Sequence, residues 1–189
     1  TRNDWFGHYA EWAGFVGVVP LLLALFVLIR KKEATVWFFA GLCVVALLFA
    51  FPTPFNDALF QMRIPALSTS AASRIIVLIS FSLAVLSSFG LDALRRDWEK
   101  REIRVFFGFA AVVMSAVVLL GLSMYFMHLL PDEKLMIAGR NTILPSLIVV
   151  LALVGAAIGF MKNKRISLAV LAGLLILTSF DLLRFATKW

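Results

Sequence analysis

The chain has 189 residues, of which 62% are hydrophobic and 15% are charged, and its mean hydropathy is +0.96. Soluble domains carry about 25% charged residues, so this composition excludes most classes of soluble enzyme and predicts a protein that lies in lipid. The net charge of +7 is expected to reflect membrane topology and contact with anionic headgroups. The sequence contains no polar segment in which basic and aromatic residues alternate, so it does not indicate a nucleic-acid partner.

Six long apolar runs each predict one membrane-crossing helix. Such a helix needs roughly 20 apolar residues to span a hydrocarbon core of about 30 Å, and the runs are continuous, unlike the alternating strands of a membrane barrel. We therefore predict an all-α integral membrane protein, a bundle of six transmembrane helices that form a single domain. The predicted helices cover residues 12–29, 34–51, 74–92, 105–127, 142–161 and 166–183.

The polar segment before the first helix contains three candidate site residues, His8, Tyr9 and Glu11. His8 and Glu11 lie one helical turn apart, a spacing that can form half of a metal site or an acid/base pair. The alternative is that Tyr9 joins Trp5 and Trp12 in an interfacial aromatic belt, while Glu11 favours the helix start electrostatically.

The loop between the second and third helices, residues 52–74, is the most informative polar segment. Thr53 is placed to cap a short helix with Pro54 at its first position, and apolar residues at 55, 58, 59 and 62 share one face. We predict that this short interfacial helix lies in the membrane surface, in the second extracytoplasmic loop region.

The end of the same loop has the features of a phosphate-binding site. Arg74 opens the third helix, where free N–H groups and the helix dipole favour an anion, and Ser70 and Ser73 are available as caps or donors. Arg63 is a further cation in this loop. The alternative is an arginine that reaches lipid headgroups and serines that cap a helix with no ligand present.

Small residues predict a close contact between the last two helices. Gly155 and Gly159 form a GxxxG step, and Ala169 and Gly173 form a second small-residue step. Such pairs let helix backbones approach each other in lipid. Before the fifth helix, residues 131–133 predict a solvated loop that starts a separate short surface helix.

Asp181 and Arg184 lie three residues apart at the outer end of the last helix. Their simplest interpretation is a local ion pair. A carboxylate that enters the membrane is also, by default, a candidate functional group.

The lysines and arginines predict the orientation of the chain. More than half of the 18 basic residues fall in three short connectors, so the positive-inside rule places these connectors in the cytoplasm and both chain ends on the other side of the membrane. The basic residues of the connectors are Arg30, Lys31, Lys32, Arg95, Arg96, Lys100, Arg101, Arg104, Lys162, Lys164 and Arg165.

The sequence assigns no catalytic residue and no metal-ligand set. It contains no phosphate-binding glycine loop, no GxSxG, no HExxH and no paired CxxC, and its one cysteine, Cys43, lies in the middle of a predicted helix.

Three segments, in this order and spacing, resemble the bacterial YfhO-type membrane proteins, glycosyltransferases of the GT-C kind. The first is YAEWAGFVGVVPLLLAL at residues 9–25. The second begins with PTPF at 52 and runs through SAASR at 70–74 into SLAVLSSFGLD at 82–92, and the third is DLLRFATKW at 181–189. Together they extend over nearly the whole chain.

The resemblance implies transfer of a sugar from a polyprenyl-phosphate donor to a cell-envelope glycan on the extracytoplasmic face. Arg74 would correspond to the family's arginine at the start of this helix. Many members carry Arg-x-Pro-x-Arg where this chain has Ser70 and Ala72 in the first and third places, so an anion site here would depend on Arg74 and backbone amides.

Enzymes of the GT-C kind generally place their acidic catalytic residue in the first extracytoplasmic loop, which would lie upstream of Thr1. The chain is thus expected to be a later part of the membrane domain that lacks this carboxylate. The resemblance leaves open a divalent metal bound mainly by residues outside the chain. Two other functions remain from the residues alone: a transporter or lipid flippase, and a non-catalytic membrane scaffold.

Overall fold

The computed structural model describes residues 14–51, 53–54, 61, 75–126, 132–162 and 168–187. All regular secondary structure in these ranges is helical, which confirms the predicted all-α class for them. Six helices follow one another, and their bounds are α1 Val18–Arg30, α2 Ala34–Ala50, α3 Ile76–Glu99, α4 Arg104–Phe126, α5 Asp132–Lys162 and α6 Leu168–Thr187.

Four of these helices contain segments that are long and apolar enough to cross a membrane. The segments are Ile76–Glu99, Arg104–Phe126, Asn141–Met161 and Leu168–Thr187. α1 and α2 are apolar but shorter, with 13 and 17 residues. The chain is therefore a helical membrane protein, and six crossings stay a prediction.

α1 begins later than the apolar pattern predicts. The pattern starts the helix at residue 12, whereas the described residues 14–17 are not helical and α1 starts at Val18. Gly17 has φ of 88°, a left-handed conformation that interrupts a right-handed helix and that glycine adopts at little steric cost. A continuous apolar run gives no sign of this break.

α3 extends past its predicted end at residue 92 and continues to Glu99. Its last two turns bury Ala93, Leu94 and Trp98 at the spacing of one helix face. The charged residues of this segment indicate a loop, but the apolar face is long enough to keep the chain helical.

α5 also begins earlier than predicted. Instead of a separate surface helix near residue 132, one helix of 31 residues runs from Asp132 to Lys162 and contains Pro145 in its interior. A helix does start at the predicted residues 131–133, but it is continuous with the fifth membrane helix, whose predicted start was residue 142. The polar residues at its start join the membrane-crossing segment without a break.

The chain divides into two compact units. The first comprises Thr1–Val16 with Leu23–Gly90, and the second comprises Gly17–Leu22 with Leu91–Trp189. In the first unit two buried clusters hold α1, α2 and α3 together. One consists of Ala24, Val27, Val36 and Leu86, and the other of Cys43, Ala46 and Ile79.

Gly90 permits a close backbone approach between α1 and α3 in the first unit. A Cβ atom at this position would overlap the carbonyl group of Leu23. Because a backbone carbonyl of a packed helix cannot swing aside, only glycine fits at this crossing.

The loop between α1 and α2 is fixed by a buried lysine. Lys31 is 7% exposed, and its Nζ lies 5.0 Å from the centre of the Phe89 ring and 3.8 Å from Oε1 of Glu33. This cation–π contact and ion pair hold the first basic connector against α3.

In the second unit the small residues of α5 and α6 act in two ways. A Cβ atom at Gly159 would collide with Val170 and would lie 3.3 Å from the Trp98 ring, so this glycine is required by close packing. A Cβ atom added at Gly155 or at Gly173 would have no neighbour within 4 Å, and both residues border an apolar cavity of about 340 Å³ between the helices. The predicted close approach is therefore found at Gly159 and not along the whole stripe.

The turn between α3 and α4 is closed by backbone hydrogen bonds. Arg101 has φ of 61°, its N–H donates to the carbonyl of Trp98 at 3.2 Å, and the N–H of Glu102 donates to the carbonyl of Asp97 at 2.8 Å. These two bonds form the Schellman motif that ends many helices. A residue other than glycine occupies its left-handed position.

The Arg101 side chain compensates for that conformation by binding α5. Its guanidinium lies 4.7 Å from the centre of the Phe160 ring and donates to the Phe160 carbonyl at 3.4 Å. Trp98, fully buried, packs edge-on against this ring at 5.5 Å between centres. The basic connector between α3 and α4 thus lies next to the end of α5, where the third basic connector begins. The charge pattern predicts that these connectors lie on the same side of the membrane.

Candidate functional site

The candidate site is built around Asp181, a carboxylate buried inside a membrane helix. Asp181 lies in the last two turns of α6 and is only 1% exposed. Removing an ionised carboxylate from water costs several kcal/mol unless its oxygens are satisfied. Its position is therefore stabilised by specific contacts or used for function.

One carboxylate oxygen is bound to the start of α1. Oδ2 of Asp181 accepts a hydrogen bond from the backbone N–H of Val18 at 3.0 Å, across 163 positions of sequence. The first N–H groups of a helix have no partner within the helix, and a carboxylate there also interacts favourably with the helix dipole. Asp181 thus supplies the cap that Gly17, which has no side chain, cannot supply.

The local sequence explains why the two helices can approach here. A Cβ atom at Gly17 would lie 3.3 Å from Cδ of Pro20 and 3.5 Å from Cγ2 of Thr178. Thr178 directs its hydroxyl to the carbonyl of Leu174 at 2.8 Å, which leaves its methyl group toward Gly17. The small residue and the methyl group bring the first turn of α1 onto the C-terminal part of α6.

The second carboxylate oxygen is unsatisfied within the described residues. Oδ1 of Asp181 is buried and has no hydrogen-bond partner there. The predicted ion pair with Arg184 is absent, although both side chains belong to the described part of α6. The backbone N–H of Val18 takes the place of the guanidinium, because the buried side of α6 faces the start of α1 while Arg184 is only half-buried.

The other predicted site residues lie outside the described residues. They include the proposed phosphate-binding residues and the group before the first helix: Arg74, Ser70, Ser73, Arg63, His8, Tyr9 and Glu11. The interfacial helix at 54–62 also lies mostly outside them, although Pro54 and Gln61 have helical backbone. Thr53, the predicted cap, donates its hydroxyl to the carbonyl of Leu48.

An open apolar groove of about 930 Å³ lies between α4 and α5 in the second unit. Its wall contains two glycines, Gly121 and Gly139, and three hydroxyl side chains, Tyr125, Thr142 and Ser146, among aliphatic residues. A groove with this lining has the chemistry of a site for a hydrocarbon chain.

Sequence reasoning missed the partner of Asp181 because that partner is a backbone group. Val18 carries no polar side chain, and the only local signal is Gly17, a small residue in front of a proline-containing helix start. Within the described ranges, no group of three or more His, Cys, Asp or Glu side chains is arranged to hold a metal ion.

Comparison with protein-family models, with curated proteins and with solved structures found no match to this chain.

Proposed function

We propose that this chain is part of the membrane domain of a GT-C-like glycosyltransferase. It moves a sugar from a polyprenyl-phosphate donor to a cell-envelope glycan on the extracytoplasmic face of a bacterial cytoplasmic membrane. In this proposal all six helices cross the bilayer and both chain ends are extracytoplasmic.

The observation that carries the proposal is the hydrogen bond between Val18 and Asp181. Two of the three segments that resemble the YfhO-type family, residues 9–25 and 181–189, meet at this bond. Asp181 is also an ionisable residue buried in an apolar helix, and such residues are by default candidates for a functional site.

The groove between α4 and α5 supports a lipid-linked donor. Its lining is aliphatic apart from a few hydroxyl groups, and its volume of about 930 Å³ suits a hydrocarbon chain better than a sugar. A donor phosphate requires a cationic partner, and the sequence offers Arg74, with Ser70 and Ser73, as the candidate.

The direct test measures sugar transfer from a polyprenyl-phosphate donor in membranes that contain the whole protein. Arg74→Ala is expected to lower transfer at least tenfold while the amount of folded protein is unchanged, because the leaving phosphate loses its cationic partner. Arg184→Ala is the matched control, since it removes a basic residue that makes no ion pair with Asp181. Equal transfer by wild type and Arg74→Ala would remove Arg74 from the donor site.

A second test fills the groove. Among the described residues, nothing beyond its own helix backbone and chain neighbours lies within 4 Å of a Cβ added at Gly121, so the side chain of Gly121→Leu starts in open space on the groove wall. We expect a raised KM for the lipid-linked donor. Gly41→Leu, at an exposed position of α2 that is equally open, is expected to leave KM unchanged.

The second candidate function is a transporter or lipid flippase, and the burial of Asp181 favours it. Carboxylates inside membrane helices commonly mark ion or substrate routes. Solute uptake into vesicles that is abolished by Asp181→Asn, in a protein with no sugar transfer, would support the transporter and exclude the transferase.

A further inference from the structure

The turn between α3 and α4 carries three exposed cations that have no carboxylate partner among the described residues. Arg96, Lys100 and Arg104 are exposed and make no ion pair within the described residues. Their neighbour Arg95 differs, since its Nε lies 3.5 Å from Oε1 of Glu99. Arg96, Lys100 and Arg104 are therefore accessible to an outside partner, and we name them the basic triad.

The fold presents the basic triad on a rigid turn. The N–H of Lys100 donates to the carbonyl of Arg96 at 3.0 Å, so the two residues keep the helical spacing that places them on one side of α3. Arg104 follows after a connection of three residues, and its Cα lies within about 14 Å of that of Lys100, the reach of four extended residues.

Two side chains of the turn pack against the rest of the second unit. Ile103 is 1% exposed, and Arg101 is bound to Phe160 through its guanidinium. A site whose backbone is already fixed loses little conformational entropy when a ligand binds.

The surface next to the basic triad is apolar and exposed. The exposed positions of α4 that follow Arg104 include Val105, 41% exposed, Gly108, and Val112, 68% exposed, which lie on one side of the helix. No atom lies within 4 Å of a Cβ added at Gly108, so this face has a shallow gap beneath the cations.

Cations above an apolar strip complement a lipid with an anionic headgroup. A phosphodiester headgroup pairs with arginine and lysine, and its acyl chain covers the strip on α4. A soluble phosphate would pair with the cations but would leave the apolar strip uncovered. A nucleic acid would bring its charged backbone next to the apolar strip, which it does not complement.

We propose that Arg96, Lys100 and Arg104 form a binding site for an anionic phospholipid, such as phosphatidylglycerol, with the acyl chain along Val105, Gly108 and Val112. This site lies at the opposite end of the membrane helices from Asp181. The predicted topology assigns it to the cytoplasmic leaflet.

The test counts lipids bound to the purified full chain in neutral detergent by native mass spectrometry. Wild type is expected to bind phosphatidylglycerol more tightly than phosphatidylcholine. Replacing all three cations by glutamine is expected to lower the phosphatidylglycerol affinity about 100-fold, since each cation near an anionic surface contributes roughly a fivefold effect.

The control variant removes three other cations and changes the net charge equally: Lys32→Gln, Arg95→Gln and Arg184→Gln. It should retain at least half of the wild-type preference for phosphatidylglycerol. An equal loss in both variants would show that overall charge, and not this site, determines binding, and would overturn the proposal.

If the triple variant does not fold, single substitutions and competition with inorganic phosphate test the same site. Each single glutamine substitution in the triad should lower affinity roughly fivefold, and unchanged affinity in all three would refute the site. Inorganic phosphate at constant ionic strength should not displace the lipid. Full displacement would assign the site to a soluble anion instead.

Discussion

Asp181 accepts a hydrogen bond from the backbone N–H of Val18 at 3.0 Å, so a carboxylate near the end of the last helix caps the first turn of α1. In soluble proteins this position is filled by a side chain of the residue just before the helix. Here Gly17 occupies it with a left-handed conformation, and the cap comes from the far end of the chain.

Replacing Asp181 tests how much this contact stabilises the protein. Asp181→Ala is expected to lower the free energy of unfolding by about 1–2 kcal/mol, because it leaves the N–H of Val18 without its acceptor. Asp181→Asn keeps an oxygen acceptor of the same shape and should lose less than half as much. Reversible unfolding in mixed detergent micelles measures both values, and equal losses would show that charge, rather than the hydrogen bond, is the stabilising feature.

Replacing Gly17 tests the conformation that allows the cap. Gly17→Ala is expected to cost about 1–2 kcal/mol, since a Cβ is disfavoured at positive φ and would press on Pro20 and Thr178. Gly41→Ala is the matched control in α2, where nothing lies within 4 Å of the added atom. It should stabilise the helix by up to about 1 kcal/mol, and the same sign for both variants would contradict the assigned role of Gly17.

The contact of Gly90 with the Leu23 carbonyl predicts the largest effect of a single methyl group in the first unit. Gly90→Ala forces the backbones of α1 and α3 apart, and overpacking of this kind costs about 1–3 kcal/mol. Thermal unfolding followed by circular dichroism measures the loss. A melting temperature equal to that of Gly108→Ala, an exposed position with open space around it, would show that the helices do not cross as described.

Gly159 and Gly155 lie one turn apart on α5 and give opposite predictions. Gly159→Ala is expected to destabilise by about 1–3 kcal/mol through contact with Val170 and Trp98. Gly155→Ala adds a methyl group at the cavity of about 340 Å³ and should be neutral or stabilising. The difference in unfolding midpoint between the two variants checks the packing, and a reversed order would refute it.

The helical class and the approximate positions of the helices follow from hydrophobicity, because a continuous apolar run has few alternatives in lipid. The bounds of α2 and α4 lie within one residue of those predicted. The helix bounds are wrong at three places. A left-handed glycine at residue 17 delays the start of α1, a buried face extends α3 to Glu99, and α5 begins at Asp132 without a break before its apolar segment.

The candidate site was predictable only in part. The position of Asp181 in an apolar run marks it as unusual. Its partner is the backbone N–H of Val18, and since nearly every residue has such a group, the sequence does not show which one binds the carboxylate. Arg184 is the nearest opposite charge, so an ion pair is the simplest local expectation. Tertiary packing overrides it by turning Asp181 toward the start of α1.

Cysteine labelling in intact cells gives the sharpest check on the orientation from which both proposed sites follow. In a Cys43→Ser background, Thr187→Cys at the exposed end of α6 and Lys100→Cys in the turn after α3 are each treated with a thiol reagent that cannot cross the membrane. We expect labelling of Thr187→Cys only, with Lys100→Cys labelled after the cells are opened. Labelling of Lys100→Cys in intact cells, with Thr187→Cys protected, would reverse the topology and remove both the extracytoplasmic sugar transfer and the cytoplasmic lipid site.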